Sequence, residues 1–161
     1  LQPKVLQNRR VLITAGPTFE PIDPVRGITN RSSGKMGYAI ARAAREAGAL
    51  VTLISGPAAL DVPYHVNRID VMTAIEMRDA VMSHISHQDI FISVAAVADW
   101  RVANASAQKI KKNKNGDTPI LEFTENPDIL ASIAALPDTP YCVGFAAESE
   151  KLRRQHTHSV R

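Results

Sequence analysis

Apolar and polar positions follow two rhythms that alternate along the chain. Short apolar runs recur: Arg10-Val11-Leu12-Ile13-Thr14-Ala15, then Leu50-Val51-Thr52-Leu53-Ile54-Ser55, then Asp89-Ile90-Phe91-Ile92-Ser93-Val94-Ala95-Ala96. The third is nearly continuous, as expected of a strand covered on both faces. The alternation from Val66 to Val71, the stretch Ile120–Phe123 and the run Tyr141–Phe145 are further strand candidates. Between these runs, apolar positions recur at helical spacing. Residues 35–47 predict a helix with a small-residue face that can pack close to a sheet, and Gly48 is a good stop. Thr73-Ala74-Ile75-Glu76 reads as a capping box, opening a helix that carries Met77, Ala80, Val81 and Ile85. Asn126-Pro127-Asp128 predicts a third helix start, with Asn as cap and Pro at the first helical position. Residues 101–118 are polar and irregular, and Phe19–Arg26 reads as a long loop stiffened by prolines.

Strands separated by helices over short connections predict a Rossmann-like α/β fold, a mostly parallel sheet with helices on both faces. Ligands of such folds gather at the carboxyl ends of the strands. Segments 16–34, 95–100 and 145–148 fall there. The first joins Gly16-Pro17-Thr18 to Asn30-Arg31-Ser32-Ser33-Gly34-Lys35-Met36-Gly37, small residues and hydroxyls running into a helix. A helix start offers unpaired N–H groups and the positive end of its dipole, and glycine lets an anion approach the backbone. The segment is neither Gly-x-Gly-x-x-Gly nor Gly-x-x-x-x-Gly-Lys-Ser/Thr. Its residues fit a phosphate site; they also fit a tight strand-to-helix connection.

Composition narrows the class without naming a function. The 161 residues suffice for one domain with a core. No apolar run approaches the ~18 residues of a membrane span, and no signal peptide is visible at the start. The chain begins without Met, as a segment of a longer polypeptide would. Cys142 is the single cysteine, so no internal disulfide forms and a cytoplasmic setting is expected. The net charge of +3 resides wholly in the tail, where Lys151, Arg153, Arg154 and Arg161 face Glu150. Residues 1–148 are neutral on balance, which gives no support for nucleic-acid binding.

Several single positions carry chemistry. Asp99, after the small residues that end the third run, suits a ribose hydroxyl, a base amine or Mg²⁺, and equally a cap or turn. Arg26 and Asn30 supply a fork donor and an amide for a phosphorylated or carboxylated ligand. In Lys109-Ile110-Lys111-Lys112-Asn113-Lys114, an extended backbone puts Lys109 and Lys111 on one face, where one lysine can neutralise phosphate charge; the plainer account is a solvated basic run. No Cys/His/Asp grouping has zinc spacing, and Cys142 in an apolar run suits a core better than a nucleophile.

Taken together, Ala15–Thr18, Glu20–Arg26, Thr29–Gly37, Ala95–Trp100, Lys109–Lys112, Asn126–Ile129 and Gly144–Glu148 resemble phosphopantothenoylcysteine synthetase, in order and with compatible spacing. The match is to its bacterial form, the C-terminal half of a bifunctional coenzyme A biosynthesis protein whose N-terminal half is a flavin-dependent decarboxylase. FMN belongs to that other half. The resemblance implies ligation of 4′-phosphopantothenate to L-cysteine with CTP and Mg²⁺ through an acyl-cytidylate, in a homodimer. It makes Asn30 and Lys109 the catalytic residues, with Asn30 on the acyl-nucleotide and Lys109 a mobile lysine over the site. It sets Arg26, Asn30 and Ala95 against phosphopantothenate. Gly16, Ser32, Ser33, Ser93, Val94, Ala95, Asp99, Lys109, Asn126, Pro127, Asp128, Ile129 and Phe145 fall to the nucleotide.

The chain departs from the family pattern in three places. Phe19 stands where many members carry Arg, and Gly27 where many carry an aromatic residue. Residues 149–161 form a basic tail unlike the family, which continues for several dozen residues with further lysines. The domain is therefore expected at 1–148, incomplete at its C-terminal side. A binding-only domain without turnover is the competing expectation. A nicotinamide-dependent reductase is disfavoured, because neither the glycine fingerprint nor a Tyr-x-x-x-Lys pair occurs.

Overall fold

The computed structural model describes residues 3–146; the motif residues Ala147 and Glu148 and the basic tail lie outside them. The elements run β1 (Arg10–Ala15), β2 (Phe19–Asp23), β3 (Arg26–Thr29), α1 (Lys35–Glu46), β4 (Leu50–Ser55), β5 (Asn67–Asp70), α2 (Ala74–His84), β6 (Ile90–Ser93), β7 (Trp100–Val102), β8 (Phe123–Glu125), α3 (Ile129–Ala134) and β9 (Tyr141–Gly144). Five strands form a parallel sheet in the order β5-β4-β1-β6-β9. After β1 the chain builds outward to β4 and β5, then returns to add β6 and β9 on the other side. The order in which strands are added reverses between β1 and β6, the kind of place where ligands of such folds gather.

Alternation along β1 divides the core. Val11, Ile13 and Ala15 pack with Tyr38, Ala41 and Ala44 of α1, whereas Leu12 packs with Met77 and Val81 of α2 and Ile129 and Ile133 of α3. The two faces are thus covered as the sequence predicts, and β1 is buried on both. α1 approaches β1 unusually closely. A Cβ on Gly37 would stand 2.4 Å from the Cβ of Ala15. The capping box of α2 forms in full, with Thr73 accepting from the Glu76 N–H and Glu76 reaching back to the cap.

Four expectations are corrected. Phe19–Arg26 is not an irregular loop but most of an antiparallel hairpin, β2 with β3. Pro21 is tolerated there because a two-stranded ribbon leaves one side of each strand unpaired. The strand expected over 89–96 ends at Ser93, although its backbone stays tied to β1's extension beyond that point. The strand expected at 120–123 forms at 123–125, paired antiparallel with β7, itself partly inside the stretch read as irregular. Finally, Asn126 does not cap α3. Its side chain donates to the Ala98 carbonyl at 2.8 Å, and Asp128 caps instead, accepting from the Ala131 N–H at 2.9 Å.

Gly37→Ala measures the α1–β1 approach. Helix propensity alone favours alanine by ~1 kcal/mol, while overpacking typically costs ~1–3 kcal/mol. We expect net destabilisation in denaturant unfolding; a gain would mean that α1 shifts off β1 freely.

Candidate active site at the carboxyl edge

β1 does not stop pairing where its strand ends. The Gly56 N–H donates to the Ala15 carbonyl at 2.9 Å, Ala96 N–H to the Gly16 carbonyl at 2.9 Å, and Thr18 N–H to the Ala96 carbonyl at 3.2 Å. Gly16 takes a positive φ of 74°. Gly56 crosses Pro17 so tightly that a Cβ on it would lie 1.7 Å from the Pro17 carbonyl oxygen, so only glycine fits. The hydroxyl of Thr18, fully buried, accepts from the Ala98 N–H at 3.0 Å, and that of Thr14 accepts from Ala95 N–H at 3.4 Å. Segment 95–98 is therefore tied to the extension of β1 beyond the end of β6, with Ala96 bridged in parallel to Pro17.

That segment forms one wall of a cleft of about 750 Å³. Ser93, Ala95, Asp99, Asn126, Pro127, Asp128, Ile129 and Phe145 line it, eight of the residues singled out in the sequence. Asn126 joins the walls, because its backbone N–H donates to the Asp99 carbonyl and its side chain to Ala98. Arg101 then donates to the Asn126 side-chain oxygen at 3.3 Å. The cleft also takes in Trp100, the last residue of the 95–100 segment, and Glu125, which the sequence analysis did not mark. Both sit on the β7–β8 ribbon, whose pairing sets Trp100 opposite Glu125; the alternation around Glu125 was the available signal.

The other candidates form two further groups. Gly16, Ser32 and Ser33 lie around the start of α1. Gly34, the helix cap, has a positive φ of 77°, and the Ser32 and Ser33 hydroxyls accept from the Gly34 and Lys35 N–H groups at 3.3 and 3.4 Å. Asn30 bridges this group to the cleft wall, its amide donating to the Ala96 carbonyl at 3.1 Å. Val94 lies within the same strand end but does not line the cleft. Arg26 and Lys109 make up the second group, at the hairpin. Arg26 gives its Nε and Nη2 to the Asp23 carboxylate at 3.0 and 2.6 Å and its Nη2 also to the Ile110 carbonyl at 2.7 Å. The segment around Lys109 belongs to no helix or paired strand; Lys109 and Lys111 are exposed and Ile110 between them is half-buried, the alternation expected of them.

Phe19 and Gly27, the two departures in the hairpin, meet each other. A Cβ on Gly27 would lie 2.3 Å from the Phe19 ring. The ring on β2 thus occupies the space beside position 27 on β3. Elsewhere, burial pushes the Cys142 thiol up, which keeps it from the thiolate form a nucleophile needs. Among the described residues, no three His, Cys, Asp or Glu side chains gather as a metal-holding group, and no helix is long and apolar enough to cross a membrane.

A Rossmann-like sheet order, a helix start at glycine and a polar cleft beyond the end of β6 define an α/β protein with a candidate ligand site at its carboxyl edge. The chain belongs to the family described as DNA/pantothenate metabolism flavoprotein C-terminal domain, which matches residues 6–160. It is 58% identical over 149 residues to the coenzyme A biosynthesis bifunctional protein CoaBC of Vibrio vulnificus, and 54% identical over 149 residues to that of Escherichia coli. These alignments cover 92% and 91% of this chain but 37% of each relative, so the chain spans about a third of the curated relatives it matches. The solved C-terminal domain of a CoaBC protein superposes with a TM-score of 0.78 at 44% identity, covering 91% of this chain and 68% of that one.

The Arg26 guanidinium beside Asp23 holds that carboxyl well below the usual carboxylate range, and backbone N–H groups of Val25, Ile110 and Arg26 add to it against the cost of burial. A lowered pKa makes the tie complete above the ordinary carboxylate value and lost only as pH falls through the folded value. The Asp23 carboxyl carbon should therefore titrate below 3.8 in an NMR pH series. An inflection at or above that value would contradict the pairing of the buried carboxylate with Arg26.

Proposed function

We propose that this chain carries the synthetase site of coenzyme A biosynthesis, joining 4′-phosphopantothenate to L-cysteine at the expense of CTP. The observation that supports it best is the convergence of Ser93, Ala95, Asp99, Asn126–Ile129 and Phe145 on one cleft, in a chain of this family. Those positions are the ones that the resemblance to the synthetases assigns to the nucleotide.

In this reading the pantothenate carboxylate attacks the α-phosphorus of CTP. An O–P bond forms, the bond to the β-phosphate breaks, and pyrophosphate leaves. The cysteine amine then attacks the acyl carbonyl, a C–N bond forms, CMP leaves with the C–O bond pair, and the amine gives up a proton. Every species in the first step is anionic, so alignment and charge screening carry much of the catalysis. The helix start at Gly34, with Ser32 and Ser33, is suited to phosphate oxygens. Asn30, fixed to the Ala96 carbonyl, stands between that group and the cleft wall, where a neutral amide can meet both carboxylate and phosphate. Mg²⁺ enters with the triphosphate as part of the substrate; the Asp99 carboxylate in the cleft is the hard oxygen donor such an ion accepts. Lys109 supplies a positive charge over the activated intermediate. The protein acts as a homodimer in the cytoplasm, alongside a decarboxylase half.

Pyrophosphate release and conjugate formation test this, with 4′-phosphopantothenate, Mg²⁺ and CTP or ATP, each with and without cysteine. We expect CTP-dependent release, and the cysteine conjugate only when cysteine is present. No release from folded chain would favour a binding-only domain. Lys109→Gln should lower product formation ~100-fold or more while CTP binding stays measurable; unchanged turnover removes Lys109 from the mechanism.

A further inference from the structure

Asp23 has no part in the site described so far except as the partner of Arg26, yet it is the most heavily bonded side chain of the hairpin. Its carboxylate is wholly buried. One oxygen accepts from the Val25 and Arg26 N–H groups at 3.0 and 2.9 Å. The other accepts Nε and Nη2 of Arg26 and the backbone N–H of Ile110, the last at 3.0 Å. A register shift between Pro21 and Asp23 explains how it turns inward, since Pro21, two residues earlier, is exposed.

Closing the Asp23-Pro24-Val25-Arg26 turn accounts for the local donors. It does not require the Ile110 N–H, which comes from 87 residues away. Nor does it require the second bond of Arg26 Nη2, to the Ile110 carbonyl. The N–H and the carbonyl of one residue are thus held by the two ends of one ion pair. A third tie, from the Ser106 N–H to the Ile22 carbonyl at 2.9 Å, fixes the same segment four residues earlier. Lys109 lies between these anchors, while Lys111, Lys112 and Lys114 lie past them on an exposed stretch.

We propose that Asp23 is a positioning residue for Lys109: with Arg26 it grips Ile110 on both sides and so sets where the preceding lysine stands. The role given to Lys109 rests on the ligase reading; the grip itself does not. Arg26, in turn, holds the lysine segment in place even without substrate, through the same guanidinium that the resemblance sets beside phosphopantothenate.

Two measurements decide it. Amide hydrogen exchange in the unmodified chain should show Ile110 exchanging at least ~10-fold more slowly than Lys109, Lys111 and Lys112, because its N–H alone is bonded to a buried carboxylate. Equal exchange across these residues overturns the grip, whatever any variant does. Asp23→Asn puts an amide donor among donors. It should lower kcat ~10- to 100-fold with the KM for CTP changed less than about twofold, since a misplaced catalytic group costs rate rather than nucleotide affinity. Asp23→Glu should recover part of the loss. Unchanged kcat in Asp23→Asn, or a loss confined to KM, overturns the positioning role. Absence of turnover in the unmodified chain would instead fail the ligase reading, and exchange at Ile110 would still decide the grip.

Discussion

The structure depends on β1 continuing to pair after its strand has ended. Its carbonyls at Ala15 and Gly16 accept from Gly56 on one side and Ala96 on the other, and Thr18 returns a bond to Ala96. Three chain segments can meet this closely only because Gly56 lacks a side chain where the Pro17 carbonyl passes. From that junction the rest of the site follows. Buried Thr14 and Thr18 hydroxyls hold Ala95 and Ala98, Asn30 holds the Ala96 carbonyl, and Asn126 holds Ala98 from the far wall. Polar groups buried without partners are costly, and here each one fixes a neighbouring piece of backbone.

The hairpin β2–β3 transmits this rigidity outward. Glu20, buried on β2, accepts from the Ala74 N–H at 2.8 Å, so a carboxylate from the hairpin sits at the positive end of α2. Phe19 N–H bonds the Met72 carbonyl at the same junction. At its other end the hairpin grips the segment 106–110 through Ile22, Asp23 and Arg26. A strand-to-helix connection longer than topology requires thereby becomes a bracket between the core and a basic segment that has no secondary structure of its own.

Much of this was legible in the sequence, and the reasons it was legible are local. β1, β4, β6 and α1 follow from apolar period and from glycine at the helix ends, and the capping box of α2 is written in four residues. The parallel sheet and the covering of both its faces followed from the alternation of strands with helices; the strand order did not. What stayed hidden depended on partners far along the chain. The hairpin was obscured because Pro21 and Pro24 signal a loop unless a strand beside them is already known. β7 and β8 are three residues each and pair across twenty intervening positions, too short for period to register. Asn126 looked like a cap because Asn-Pro-Asp fits that grammar, yet the Ala98 carbonyl claims its amide. Asp23 stood in plain view as the first residue of an Asp-Pro turn, a position that favours Asp for local reasons; nothing in its neighbourhood announces Ile110.

The central claim is that the nucleotide lies in the cleft between the β6 extension and the start of α3. Chemical-shift mapping of the chain with Mg²⁺ and CTP tests it most directly. The account predicts perturbations concentrated at 93–99, 125–130 and Phe145, with a second set at the Gly34 helix start. Perturbations centred instead on the hollow lined by Ser55–Ala59, Arg68 and Asp70–Met72, with the cleft silent, would contradict it.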